Sequence, residues 1–149
     1  MPHVAGMTDR IYVTGNDLAA AGWSAMDDNP MPGGLGVPWR KREAAGWCYG
    51  FPTRADQANA AGALHGGVLA VFADHTLGCY VEDASNGAPN VTIQLNTHFL
   101  AAVEPGAFLE LRGEVTRATG SMVFVRGIIS VGDRDVAAAD GIWRVFRPR

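Results

Sequence analysis

Residues 66–82 read Gly-Gly-Val-Leu-Ala-Val-Phe-Ala-Asp-His-Thr-Leu-Gly-Cys-Tyr-Val-Glu, and their apolar members fall on nearly every side of a helical projection. A helix on a protein surface keeps one face for water, whereas a helix that is apolar all round is buried. The rest of the chain must therefore wrap this helix. With 149 residues, one domain is expected, long enough to bury a sizeable core.

The wrapping material is β-type. Trp47, Cys48, Tyr49 and Phe51 suggest a first strand over residues 46–53. Four further segments follow the helix at hairpin spacing: 91–100, 107–118, 121–131 and 134–146. Their turns are marked by Ser85 to Pro89, Glu104-Pro105-Gly106, Thr119-Gly120 and Gly132-Asp133. Helix and strands segregate rather than alternate, which predicts an α+β fold with one antiparallel sheet of about five strands folded over one long central helix. Ahead of it, residues 15–28 read as a short amphipathic helix capped by Asn16, with Leu18, Ala19, Gly22, Trp23 and Met26 at helical spacing. The three prolines and three glycines of residues 30–38 predict a loop closed by Trp39, and residues 54–64 a turn-rich connection. The expected organisation is an N-terminal helix and loop (1–45) packed on a domain of residues 46–149.

Charge and cysteine usage narrow the function classes. The net charge of −3 speaks against general nucleic-acid binding. The charge is uneven: residues 112–149 hold seven Arg and four Asp or Glu, a balance of +3 that leaves −6 on residues 1–111. A basic end is able to meet an anionic ligand, but arginines that alternate with apolar residues fit the wet face of strands better. Cys48 and Cys79 are far apart, no Cys or His spacing resembles a zinc site, and both thiols are expected to be free in a reducing, cytoplasmic setting. Residues 1–10 lack the pattern of a secretory signal, and no run approaches a membrane span.

Within the helix, Asp74 is the residue that propensity does not favour. A buried carboxylate without partners costs several kcal/mol or becomes protonated. The site must supply partners, either a neighbouring strand in a structural role or a function. Its helical neighbours are Ala70, Val71, Leu77 and Gly78, with Gly67 a turn further back, and the small ones leave open space. His65-Gly66-Gly67 stands where the helix begins, and the first amides of a helix are unpaired donors at the positive end of its dipole. Without a Cβ at 66 or 67 a ligand oxygen can reach them, the geometry of an oxyanion hole, although a Gly-Gly helix start alone is often only a tight turn.

Asn59, His65-Gly66-Gly67, Asp74 and Thr92, separated by five, six and seventeen residues, resemble the thioesterase branch of the hotdog superfamily typified by phenylacetate-pathway (PaaI-like) thioesterases. Downstream, residues 87–96 with His98-Phe99-Leu100 are similar to that family's second strand, and Pro105-Gly106 to the turn after it. The similarity covers residues 46–146.

This resemblance implies hydrolysis of an acyl-CoA thioester, without cofactor or metal. Asp74 would act as general base or nucleophile, Thr92 would help hold the attacking water, and Asn59 with the Gly66 amide would polarise the thioester carbonyl. His65 would mainly shape the turn. Gly67, Val71, Leu77 and Gly78 would border the substrate. The resemblance also implies a site shared between two subunits, one giving the helix carboxylate and the other Asn59 and the helix start, in a homodimer or a dimer of dimers. Two departures bear on the carrier of the acyl group: Ala101-Ala102 replaces Arg-Pro, and Gly120-Ser121 replaces Gly followed by a basic residue. Coenzyme A and acyl-carrier protein both stay open, as does the acyl group itself.

Other candidates carry less. His75 projects about a hundred degrees round the helix from Asp74 and reads, like His98 beside Phe99, as a structural histidine. Ser24, Ser85, Ser121 and Ser130 lack the strained Gly-x-Ser-x-Gly context of a nucleophile. Trp23, Trp39 and Trp47 would either wall an acyl pocket or pack as ordinary core. The competing readings are a hotdog dehydratase or hydratase, which needs a His and a carboxylate on the acyl chain, and a non-catalytic acyl-thioester binding module.

Overall fold

The computed structural model describes residues 14–148; residues 1–10, read above for a signal sequence, lie outside them. Helix α2 (Gly66–Ala84) begins where the His65 Nδ1 accepts the Gly67 N–H at 2.9 Å. It ends in a left-handed turn, with Asn86 at φ 55° and the Gly87 N–H returning to the Glu82 carbonyl at 2.8 Å, so that the last carbonyls are satisfied before the chain reverses. Two side chains turn back on the helix itself: the buried Thr76 donates to the Phe72 carbonyl and the part-buried Cys79 to that of His75. Nineteen residues give a rod of roughly 28 Å.

Around α2 runs one antiparallel sheet in the order β1-β2-β3-β5-β6-β7-β4. The strands are β1 (Ser24–Ala25), β2 (Trp39–Glu43), β3 (Gly46–Pro52), β4 (Asn90–Phe99), β5 (Phe108–Ala118), β6 (Met122–Val131) and β7 (Arg134–Val145). The concave face of Leu109, Leu111, Val123, Val125, Ile129, Ala137, Ala139, Trp143 and Val145 meets Val68, Leu69, Phe72, Ala73, Leu77 and Val81 of α2, all buried. This is the hotdog arrangement, and the period-2 pattern of the strands produces it by sending alternate residues to the helix.

Helix and sheet come closest at one lateral stripe. Gly113, Gly127 and Ala139 stand side by side on β5, β6 and β7, and a Cβ on Gly127 would lie 3.1 Å from the Leu77 Cδ2. The absent side chains are what let Leu77 nest there. Beside the stripe the Tyr80 hydroxyl accepts the Gly113 N–H at 3.0 Å and donates to the Trp47 carbonyl in a short bond, pinning α2 between β3 and β5. The register of β4 slips between Thr92 and Gln94, and this bulge at Ile93 lets both Thr92 and Leu95 face the helix side.

The N-terminal segment differs from expectation. Helix α1 spans only Gly15–Ala20, capped by Thr14 rather than Asn16, because Gly22 takes φ 93° and ends it. Trp23 and Met26 are buried all the same. Residues 39–43, read as the end of a loop, form β2, so the sheet has seven strands where about five were expected. The run Trp-Arg-Lys-Arg-Glu hides a strand because its outward residues are long cations beside one apolar anchor. β1 and β2 extend the main sheet, and residues 24–43 are thus tied into the domain through β1–β2 and β2–β3 pairing. Trp23, Trp39 and Phe108 form a small second core with Leu18 and Cys48, which answers for two of the three tryptophans as ordinary packing. Both cysteines are unpaired.

Candidate active site

Asp74 is half-buried rather than enclosed and stands at the mouth of a cleft. Its Oδ1 accepts the Thr92 Oγ1 at 2.6 Å, a charge-assisted bond that joins α2 to β4 across the mouth. No other donor reaches Asp74 among the described residues, so one carboxylate oxygen is left for a water or a substrate. The cleft, about 320 Å³, follows one stripe of the helix through Asp74, His75, Gly78, Cys79 and Glu82. Asn90, Val91 and Thr92 form one wall, Asn29 the other, and Trp143 the floor.

Gly78 is among the residues that line the cleft, and its missing Cβ opens the floor toward the Trp143 indole nitrogen. Leu77 is not: it is fully buried against the sheet and cannot border a ligand in this cleft, since one helical residue turns the projection by about a hundred degrees. Val71 packs against the main core and Gly67 is exposed near the helix start, neither of them lining the cleft.

The remaining site residues gather at the other end of α2. No acceptor for the Gly66 N–H is found among the described residues, while His65 takes that of Gly67. A Cβ on Gly66 would stand 3.2 Å from the Phe99 ring. Asn59 organises its own turn: its Oδ1 accepts the Ala61 and Ala63 N–H groups at 2.9 and 3.1 Å, leaving the exposed Nδ2 to point elsewhere. Eight residues of helix separate Gly66 from Asp74, a rise of about 12 Å with a quarter-turn of offset. Within one chain, the five candidate residues thus fall in two groups along the helix: Asp74 with Thr92, and Gly66 with Asn59 and His65.

The histidines are accounted for. The His75 Nε2 lies 3.0 Å from the Asn29 carbonyl oxygen and so carries the proton in that bond. His98 is exposed on a strand whose partner residue there is Ala138, on the convex side of the sheet. Asn29 itself was missed by sequence reading; it lies between the segment read as a helix (15–28) and the loop of residues 30–38, and nothing local marks it. Burial pushes the Cys79 thiol up to about 12, and the Glu82 charge adds to the effect. Tyr49, beside it, is raised by burial as well.

A larger concavity than this cleft lies elsewhere. A groove of about 870 Å³ crosses the convex face of the sheet, with Phe124, Ile128, Ala138 and Ile142 flanked by Arg126 and Asp140. It holds none of the candidate site residues. β4 closes the sheet as a ten-residue edge strand with Val91 (51%), Ile93 (53%) and Phe99 (56%) open to solvent, an edge that natural proteins rarely leave uncovered. No helix among the described residues is long and apolar enough to cross a membrane.

Comparison with known proteins supplies a family. The family model described as Thioesterase superfamily matches residues 61–138. A Pseudomonas aeruginosa protein named "Putative esterase PA0474" is 33% identical over 89 residues, which are 58% of this chain and 66% of that protein's length. Among solved structures, the Bacillus halodurans protein BH2602, determined with CoA, is 23% identical with a TM-score of 0.66, covering 74% of each chain. A Ralstonia eutropha protein described as a "putative thioesterase, phenylacetic acid degradation-related protein" is 25% identical, with a TM-score of 0.62 over 66% of this chain and 75% of that one.

Proposed function

The chain belongs to the thioesterase superfamily, and from that premise we propose that it hydrolyses acyl-CoA thioesters with Asp74 as the group that activates water or attacks the carbonyl. The observation that carries this reading is the Thr92–Asp74 bond of 2.6 Å at the mouth of the cleft: it fixes the carboxylate while leaving one oxygen free. In the general-base route, Asp74 takes a proton from water as the oxygen attacks the thioester carbon. The tetrahedral oxyanion is held by the Gly66 amide and Asn59, and its collapse breaks the C–S bond, the thiolate leaving as the thiol with the proton that Asp74 had taken. In the nucleophilic route the Asp74 carboxylate attacks the thioester carbon and the C–S bond breaks to expel the thiolate; water then cleaves the resulting anhydride to the free acid and the Asp74 carboxylate, and a proton from that water ends on the thiol.

Both routes need the two groups, as half-sites, to meet at one carbonyl, and about 12 Å of helix keeps them apart within a chain. A homodimer in which the Asp74 cleft of one subunit faces the Gly66 end of another meets that need, and the uncovered apolar edge of β4 is a surface able to form it. The convex groove, with basic and acidic side chains side by side, suits a second dimer. BH2602 was solved with CoA, which favours CoA as the carrier here. A cytoplasmic setting fits the two unpaired thiols.

A dehydratase or hydratase is the weaker reading, since no described histidine is both beside Asp74 and free: the His75 Nε2 is bonded to Asn29, and His65 and His98 lie elsewhere. The test is release of free thiol from a panel of acyl-CoAs by wild type and Asp74→Asn. The amide keeps the shape but neither accepts the proton nor attacks, so a loss of about 10²–10⁴-fold is expected. A variant with more than a tenth of wild-type turnover would refute the role of Asp74. A wild type that binds acyl-CoA without releasing thiol would make the protein a binding module.

A further inference from the structure

The floor of the Asp74 cleft holds a donor that the chemistry above does not use. Trp143 is 2% exposed and stands on β7 opposite Thr92 of β4, so its side chain shares the helix-facing side of the sheet with the hydroxyl that bonds Asp74. Its benzenoid ring lies over Gly141, where a Cβ would come within 2.6 Å of Cζ3 and 3.0 Å of Cη2. The ring takes the space that a side chain at 141 would fill, and its nitrogen edge faces α2 at Gly78.

At Gly78 the indole nitrogen meets no side chain; a Cβ there would rest against Nε1 at 3.6 Å, an ordinary contact. No acceptor for the Nε1–H is found among the described residues. Yet no sealed side-chain nitrogen or oxygen lacks a partner among them, so this nitrogen opens on the cleft that Trp143 lines. An indole N–H can only donate, and an unmet donor in a nearly buried side chain carries a penalty that a ligand oxygen relieves. The walls agree: Asn29, Glu82 and Asn90 present polar groups, and Val91 is the one aliphatic side chain among the described residues that line the cleft.

The geometry points to Trp143 as a specificity-determining residue that donates its Nε1–H to an oxygen of the acyl group, so that the substrates are thioesters of hydroxy- or oxoacyl groups rather than of plain alkanoyl groups. This rests on the thioesterase reading above. Gly78 follows Asp74 by four residues, about 6 Å along the helix. For an acyl chain that runs along the cleft with its carbonyl carbon beside Asp74, an oxygen on the third carbon, with about 3 Å of hydrogen bond, spans that distance. A plain alkyl chain displaces water and leaves the donor unpaired. A site built to hydrogen-bond a substrate oxygen therefore discriminates against the analogue that lacks it.

The experiment compares thiol release from hexanoyl-, 3-hydroxyhexanoyl- and 3-oxohexanoyl-CoA by wild type, Trp143→Phe and Gly78→Ala. Trp143→Phe removes the N–H and keeps a ring over Gly141. Gly78→Ala sets a methyl against Nε1 at a distance the packing tolerates and raises helix propensity, so it carries the test if the Phe variant does not fold. For at least one oxygenated substrate, each variant should lower the ratio of kcat/KM over hexanoyl about tenfold from its wild-type value. The substrates' own reactivities cancel between enzymes, so the change in ratio reports the contact. Calorimetric binding of S-hexyl-CoA and S-(3-hydroxyhexyl)-CoA thioethers should shift in the same sense. The Trp143 indole proton resonance, assigned by its loss in Trp143→Phe, should move further downfield with the hydroxylated thioether than with the plain one. Unchanged ratios in folded variants, by turnover and by binding, overturn the acyl assignment and leave thioester hydrolysis standing. If wild type binds the thioethers but releases no thiol, the catalytic reading fails and the binding ratios decide the contact. A wild type that neither cleaves nor binds any of these compounds overturns the acyl assignment.

Discussion

Two defects in different half-sites should repair one another when the chains are mixed. Gly66 and Asp74 lie on one helix, eight residues and about 12 Å apart. An attacking water must stand about 3–3.5 Å from the thioester carbon, and an oxyanion donor about 3 Å from its oxygen. Even with the reach of the Asp74 side chain, groups so spaced cannot both touch one carbonyl. Asn59, bound into the turn that leads to the helix start, falls on the Gly66 side of that gap. Asn59→Ala and Asp74→Asn chains, each inactive as homodimers, are mixed, unfolded and refolded together. Random pairing makes about half the dimers mixed, and half of their sites are whole, so roughly a quarter of wild-type activity is the ceiling if sites act independently. The assay is thiol release from an acyl-CoA that wild type cleaves, with differently tagged chains purified in tandem to prove exchange. A purified mixed dimer with no more activity than either parent shows that Asn59 and Asp74 serve one subunit's site, and the shared-site model is then wrong.

Thr92→Val removes the 2.6 Å bond to the carboxylate with little change of shape, and a bond to a charged group is worth about 1.5–3 kcal/mol. The expected fall in kcat is about tenfold or more, rescued in part by Thr92→Ser; a Val variant at full kcat would mean that the bond orders β4 and not the reaction. Leu77→Ala should cost about 2–5 kcal/mol in urea unfolding, because a fully buried side chain nested on Gly127 leaves a cavity. A cost under about 1 kcal/mol would place Leu77 at a site able to collapse, contrary to the packing described. Burial raises Cys48 and Cys79 to about 12, so at pH 8 neither is a thiolate, and labelling by a disulfide reagent should be slow in the folded protein and fast in urea. Rapid labelling of Cys79 in the native state would show that its side of the cleft opens.

Much of the molecule was legible in the chain. An apolar run with no wet side has to be a buried helix, and period-2 segments punctuated by Gly and Pro have to be strands, so α2, β3 and β4 to β7 follow from local chemistry to within a few residues. The spacing of Asn59, His65-Gly66-Gly67, Asp74 and Thr92 carried the family. The tertiary structure decided what depends on neighbours distant in sequence. β2 looks like a basic loop until β3 pairs with it, since long cations cover a strand as well as they cover a turn. Leu77 and Gly78, adjacent in sequence, part ways because one points into the sheet and the other into the cleft. Asn29 reaches the Asp74 cleft only because Met26 and Met31 bury themselves on either side of it, a placement set by packing and unmarked by any pattern in its own segment. The bulge at Ile93 turns Thr92 onto Asp74, eighteen residues away, and a slip of pairing register is an event between strands that one strand's sequence does not encode.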